Sequence, residues 1–140
     1  MNKKMKNFIS ILPIIMLTGC PGDRLDIRYK PTETASVSLS DREICFQVLD
    51  PRNYQPEIIT ISSRDTPIKE RWYKYKPNLA VDNGKLCIPS SFYQFPTKGQ
   101  FIVNYILTSQ SKKTPPRHVV VGFEISNGHA YGIQLQNNEF

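Results

Sequence analysis

The 140-residue chain carries 18 lysines and arginines against 12 acidic residues, a net charge of +6, and 11% of its residues are aromatic. That length is one domain's worth and leaves no room for a second. The basic residues are scattered along the chain, which argues against a phosphate-binding stripe and hence against nucleic acid, and no segment reaches the roughly 20 apolar residues needed to span a bilayer.

The chain opens with Lys3, Lys4 and Lys6, continues through an apolar run from Phe8 to Leu17 broken by Ser10 and Pro13, and reaches small residues before Cys20. This is the charged, apolar and cleavage-site order of a secretory signal. Leu17-Thr18-Gly19-Cys20 resembles the bacterial lipobox, at which the cysteine receives a diacylglyceryl thioether before signal peptidase II cuts in front of it. Residues 1–19 are therefore expected to be removed, with Cys20 the lipidated first residue of a 121-residue mature protein. The alternative is an ordinary signal peptide whose cysteine enters a disulfide. Loss of the three leader lysines leaves 15 basic against 12 acidic residues, a net charge of +3. The expected location is the periplasmic face of a membrane, and Pro21 stands where inner-membrane retention typically has Asp, which favours the outer membrane.

Residues 20–34, with Pro, Gly, Asp and Arg and no apolar periodicity, read as a lipidated tether, and residues 35–140 as the folded domain. Short runs rich in β-branched and aromatic residues predict strands near 35–39, 43–49, 57–62, 68–75, 85–88, 100–108, 118–125 and 130–136. No amphipathic helix beyond a turn or two is expected. Val119, Val121, Phe123 and Ile125 alternate with His118, Val120, Gly122 and Glu124, so the first set faces inward. Tyr131, Ile133 and Leu135 repeat that pattern, and Phe101 to Leu107 is apolar on both faces except at Asn104, as suits a central strand. Asn83-Gly84 and Asn127-Gly128 signal two-residue hairpins, because type I′ turns need positive φ at both central positions. Seven or eight such strands predict an all-β fold, an antiparallel β-sandwich of immunoglobulin-like architecture, with a small barrel as the alternative. Trp72 lies 27 residues beyond Cys45, so the antibody arrangement of Trp over a disulfide is not expected.

With Cys20 assigned to lipid, Cys45 and Cys87 form an even pair in an oxidising compartment, and a Cys45–Cys87 disulfide is the natural reading. In the chain-entropy model such a bridge removes about 4 kcal/mol of unfolded-state entropy. A metal pair or two buried thiols are the alternatives. His118 and His129 stand apart from any metal-ligand spacing and read as surface histidines. Nucleophile elbows, phosphate loops and Ser-x-x-Lys motifs are absent, and the paired carboxylates Asp23/Asp26 and Asp41/Glu43 fall in the tether or at turns. The sequence predicts a non-enzyme with no cofactor and no metal.

The remaining feature is a surplus of aromatics: Tyr29, Tyr54, Trp72, Tyr73, Tyr75, Phe92, Tyr93 and Phe95. Interfaces favour Tyr, Trp and Arg as anchors, so Lys69, Arg71, Trp72, Tyr73 and Tyr75 are candidate residues for binding an acidic protein partner. The competing reading is an edge strand kept from aggregating by its lysines.

The lipobox is followed by Gly22-Asp23-Arg24-Leu25, then Ile44-Cys45, Leu86-Cys87-Ile88-Pro89, and Phe92-Tyr93-Gln94-Phe95 through Gly99-Gln100-Phe101. On these residues the chain resembles the small periplasmic type VI secretion immunity lipoproteins of enterobacteria, over most of the mature chain. The resemblance implies a binder that blocks a toxic effector before it attacks the envelope, and it supplies no contact residues. A non-catalytic accessory or assembly lipoprotein of a secretion or envelope complex is the alternative expectation.

Overall fold

The structure is a computed structural model that describes residues 32–111 and 113–140. The expected signal segment, Cys20, Tyr29 and the tether up to residue 31 lie outside the described residues. Among the described residues, nine strands and two single 3₁₀ turns follow one another: β1 (Val37–Ser40), β2 (Glu43–Gln47), β3 (Gln55–Ser63), a turn at Ile68–Glu70, β4 (Trp72–Tyr75), β5 (Val81–Asp82), β6 (Lys85–Ile88), β7 (Gly99–Thr108), β8 (Arg117–Ser126), β9 (His129–Ile133) and a turn at Asn137–Glu139. Among the described residues no helix is long and apolar enough to cross a membrane.

The strands form two antiparallel sheets ordered β1-β2-β6-β5 and β4-β3-β7-β8-β9. With β1 to β8 standing for A, B, C, C′, D, E, F and G, these are the A-B-E-D and C′-C-F-G sheets of an immunoglobulin-like sandwich, with a ninth strand added beyond G. The predicted sandwich is the observed fold. Alternation drives it. Ile44, Phe46, Leu86 and Ile88 of the small sheet and Ile59, Ile61, Val103, Tyr105, Leu107, Val121 and Phe123 of the large one bury their side chains almost completely in a single core. Phe46 lies 5.9 Å from Tyr105 and 5.8 Å from Phe123 between ring centroids, where each such side chain contributes about 2 kcal/mol by leaving water.

Cys45 and Cys87 form the expected disulfide, with Cα atoms 4.0 Å apart. They are direct cross-strand partners on β2 and β6, so the bridge staples one sheet and does not cross the sandwich as in antibody domains. Phe46 against Tyr105 fills the space between the B and F positions instead.

Both predicted hairpin turns are present. Asn83 and Gly84 have φ of 50° and 72°, and Asn127 and Gly128 have 51° and 74°. The first pairs β6 with β5, a two-residue strand that the sequence reading missed. Asp41 and Arg42 join β1 to β2 with the same positive φ values, 50° and 66°, without the residue types that advertise such a turn.

Three expectations are corrected. The strand predicted over 68–75 begins only at Trp72, because Pro67 starts a 3₁₀ turn in which Glu70 N–H donates to the Pro67 carbonyl at 2.9 Å. Tyr131, Ile133 and Leu135 do not face the core: β9 stops at Ile133 and Tyr131 is 51% exposed. The turn sets Ser126 opposite His129, hence Ile125 opposite Ala130 and Glu124 opposite Tyr131, which leaves only Ala130 and Gly132 for the inner face. Finally, Glu33, within the segment read as tether, makes an isolated parallel bridge to Val119 of the large sheet. Its N–H donates to His118 O (2.9 Å) and its carbonyl accepts from Val120 N–H (2.8 Å), using the stretch of β8 that β9 leaves uncovered.

After β9 the chain turns back across the outer face of the large sheet. Leu135 lies against Gly122, where a Cβ would stand 2.6 Å from the leucine side chain. On that face Ile102, Val120 and Ser62 are buried. The central strand β7 is thus covered on both sides at Ile102, whereas Asn104 and Ile106 remain half-buried beneath an open groove.

Candidate protein-docking site

β4 is the last strand of the large sheet and, among the described residues, pairs only with β3. Its register, Ile58 with Tyr75, Ile59 with Lys74, Thr60 with Tyr73 and Ile61 with Trp72, assigns each side chain a face. Tyr73 and Tyr75 stand on the outer face, 65% and 57% exposed. Trp72 shares the core face with Ile61 and lies at the rim, 5.6 Å from Phe92 and 5.4 Å from Tyr93 between ring centroids. From Tyr93 the ring contacts run through Phe95 to Phe101 and Phe123.

The five predicted binding residues therefore divide. Lys69, Arg71 and Tyr73 border a groove of about 510 Å³ on the outer face, Tyr75 stands beside it, and Trp72 caps the core. The floor is built from Ile58 and Thr60 of β3 and Asn104 and Ile106 of β7. Ile68 forms one wall and Phe140 another, 59% and 40% exposed. Sequence reasoning missed these groove residues, because they become neighbours only when β3, β7 and the chain end come together.

Electrostatics at the site are mostly basic. Lys69, Lys74 and Lys76 are exposed and Arg71 is half-buried, donating from Nε to Thr66 O at 3.2 Å. The Lys76 ammonium sits 5.6 Å from the Tyr75 ring centroid, within cation–π range. A hydrogen bond to the Glu57 carboxylate raises the Tyr75 phenol above its usual range. His118 Nε2 lies 3.2 Å from Asn104 Oδ1 at the floor, and burial lowers its pKa, favouring the neutral ring.

The Phe140 wall is held by a clamp. Arg64 donates from Nε to Glu139 Oε1 (2.6 Å) and from Nη2 to Oε2 (3.0 Å), and from Nη1 to Gln100 Oε1 (3.0 Å). Gln136 N–H also donates to Glu139 Oε2 at 2.7 Å. These bonds, Arg64's first, hold the Glu139 carboxyl down to about 2.

Elsewhere among the described residues, Glu43, Cys45 and Cys87 bring a carboxylate oxygen and two sulfurs within 4.8 Å of one another. The sulfurs are bonded to each other and so are not thiolate ligands.

A family model described as a domain of unknown function, DUF7480, matches residues 32–128. The chain belongs to the DUF7480 family. No curated protein and no solved structure matches it. The DUF7480 span opens one residue before Glu33 and closes at Gly128 of the second type I′ turn, so it contains β1 to β8, the disulfide and the exposed edge of β4. Strand β9 and the Arg64-clamped chain end, including the Phe140 wall, follow the matched span.

Proposed function

We propose that this DUF7480 protein is a lipid-anchored, non-catalytic binder on the periplasmic face of the cell envelope, at the outer membrane, and that it neutralises a type VI secretion effector by direct contact. The observation that carries the binding role is the pair of exposed tyrosines, Tyr73 and Tyr75, on an open edge strand among Lys69, Arg71, Lys74 and Lys76. Aromatic side chains supply large contact area at low entropic cost, and cations around them select an acidic partner. The disulfide-stapled sandwich supports the reading further, since a preorganised surface loses little entropy on association. The resemblance to immunity lipoproteins supplies the toxin as partner, and the lipobox at Leu17 to Cys20 supplies the anchor.

The test is survival. Cells lacking the gene are expected to be poisoned by neighbours delivering the cognate effector, and purified mature protein is expected to bind that effector stoichiometrically. Undiminished survival would sink the immunity role, and capture of secretion-machine subunits in place of an effector would replace it with an assembly role. The anchor has its own test: a Cys20→Ser chain is expected to leave the membrane fraction, and retention there would refute lipidation.

A further inference from the structure

We infer that the open edge of β4 receives an extended acidic segment of the partner as an additional strand of the large sheet. The inference rests on the protein-binding reading above and names the mode of recognition and the chemistry of what is bound.

The backbone argument comes first. Lys76 N–H donates to Glu57 O at 2.7 Å, which makes 57 and 76 a hydrogen-bonded pair of the antiparallel ladder. Such pairs recur every second residue, so Lys74 and Trp72 also spend their N–H and C=O groups on β3. The N–H and C=O groups of Tyr73 and Tyr75 then point away from the sheet. A row of outward donors and acceptors is a template for another strand.

The other sheet edges are less available. β1 and β9 lie against each other along one seam, and β5 has only two residues. β4 is also open where it matters, since the aromatic loop at Phe92 and Tyr93 meets it at Trp72 and not at Tyr73 or Tyr75.

Charge selects the occupant. Residues 69–76 hold four cations, Lys69, Arg71, Lys74 and Lys76, and one acid, Glu70. A second copy pairing through the same edge would set lysines against lysines, which is destabilising. An acidic strand is attracted instead, so the lysines that guard the edge against its own kind also specify the partner. Side-chain alternation refines the pattern: every second residue of the added strand lies beside Tyr73 and Tyr75 and is apolar or aromatic, and the residue beside Lys74 on the opposite face is Asp or Glu.

The experiment presents the purified mature chain in detergent to a displayed library of random peptides, then maps bound peptides by hydrogen exchange. Enriched peptides are expected to alternate acidic and apolar residues and to slow exchange at the Tyr73 and Tyr75 amides. Tyr73→Pro removes one outward N–H without touching the ladder to β3, and is expected to weaken peptide binding about tenfold while the melting temperature holds. Lys74→Glu, which is compatible with the fold at an exposed site, is expected to turn the selection toward basic peptides and covers the case in which the proline variant is unstable. No enrichment, enrichment without acidic bias, protection mapped elsewhere, or self-association through β4 would each overturn the inference. The two readings fail differently: an effector that binds on another surface removes the edge and keeps the immunity role, whereas acidic peptides that protect β4 while no effector binds remove the immunity role alone.

Discussion

Arg117 shows how much one side chain carries when a charge is buried. It is the one buried charged residue among the described residues, and its guanidinium makes four hydrogen bonds. Nε and Nη2 donate to the two Glu33 carboxylate oxygens (2.8 and 2.6 Å), and Nη1 and Nη2 to the carbonyls of Asp50 and Leu49 (3.0 and 2.8 Å). The group also lies 5.0 Å from the Tyr54 ring centroid. A lysine offers a point charge in place of this fork. Arg117→Met and Arg117→Lys are both expected to lose roughly 2 kcal/mol, less than a fully buried pair costs because Glu33 keeps solvent contact; urea unfolding measures it. Glu139 carries a pH dependence. Its carboxyl has an ordinary value of 4.5 and is held to about 2 in the fold, first by the Arg64 hydrogen bond. A depressed folded value stabilises fully above the unfolded pKa and fades as the acid protonates. The melting temperatures of the natural chain and Glu139→Gln are therefore expected to differ by a constant amount above about pH 4.5 and to converge as pH falls toward 2.

At the scale of elements, hairpins were legible and their consequences partly were. Asn127-Gly128 announced its turn, and a two-residue turn already dictates that Glu124 faces Tyr131. Following the apolar alternation of Tyr131 and Ile133 in place of that register put them on the wrong face. The alternation was genuine, but it serves an outer surface that the chain end partly covers. That cover makes Gly122→Ala informative. The new methyl would collide with Leu135 at 2.6 Å, so the segment from Gln134 onward is expected to lift, at a cost of about 1–3 kcal/mol, with faster amide exchange around Ile102 and Val120. The disulfide acts between elements too. It closes a 42-residue separation that includes β3, β4 and β5, and a Cys45→Ala/Cys87→Ala chain is expected to lose up to about 4 kcal/mol by thermal or denaturant melting.

For the whole molecule, fold class was written in short alternating runs and turn residues, because those are local signals. Strand order was not, since it depends on which runs cross between sheets, as β2 to β3 and β6 to β7 do. The candidate site divides the same way. Lys69 to Tyr75 stood out as a basic, aromatic run, whereas the groove beside it needs Ile58, Ile106 and Phe140, which meet only in the folded state.

The Glu33 contacts bear on mechanics. Strand β1 is the edge of the small sheet, and a pull applied directly to its start would peel it from β2 one rung at a time. A pull arriving from upstream meets Glu33 first, where two backbone hydrogen bonds and the two-pronged arginine contact pass the load into β8, an interior strand of the large sheet. Tension entering from the amino-terminal side thus meets one reinforced point ahead of the edge strand β1. In optical-tweezer extension from the amino-terminal side, Arg117→Met is expected to lower the unfolding force, and an unchanged force would show that the load takes another route.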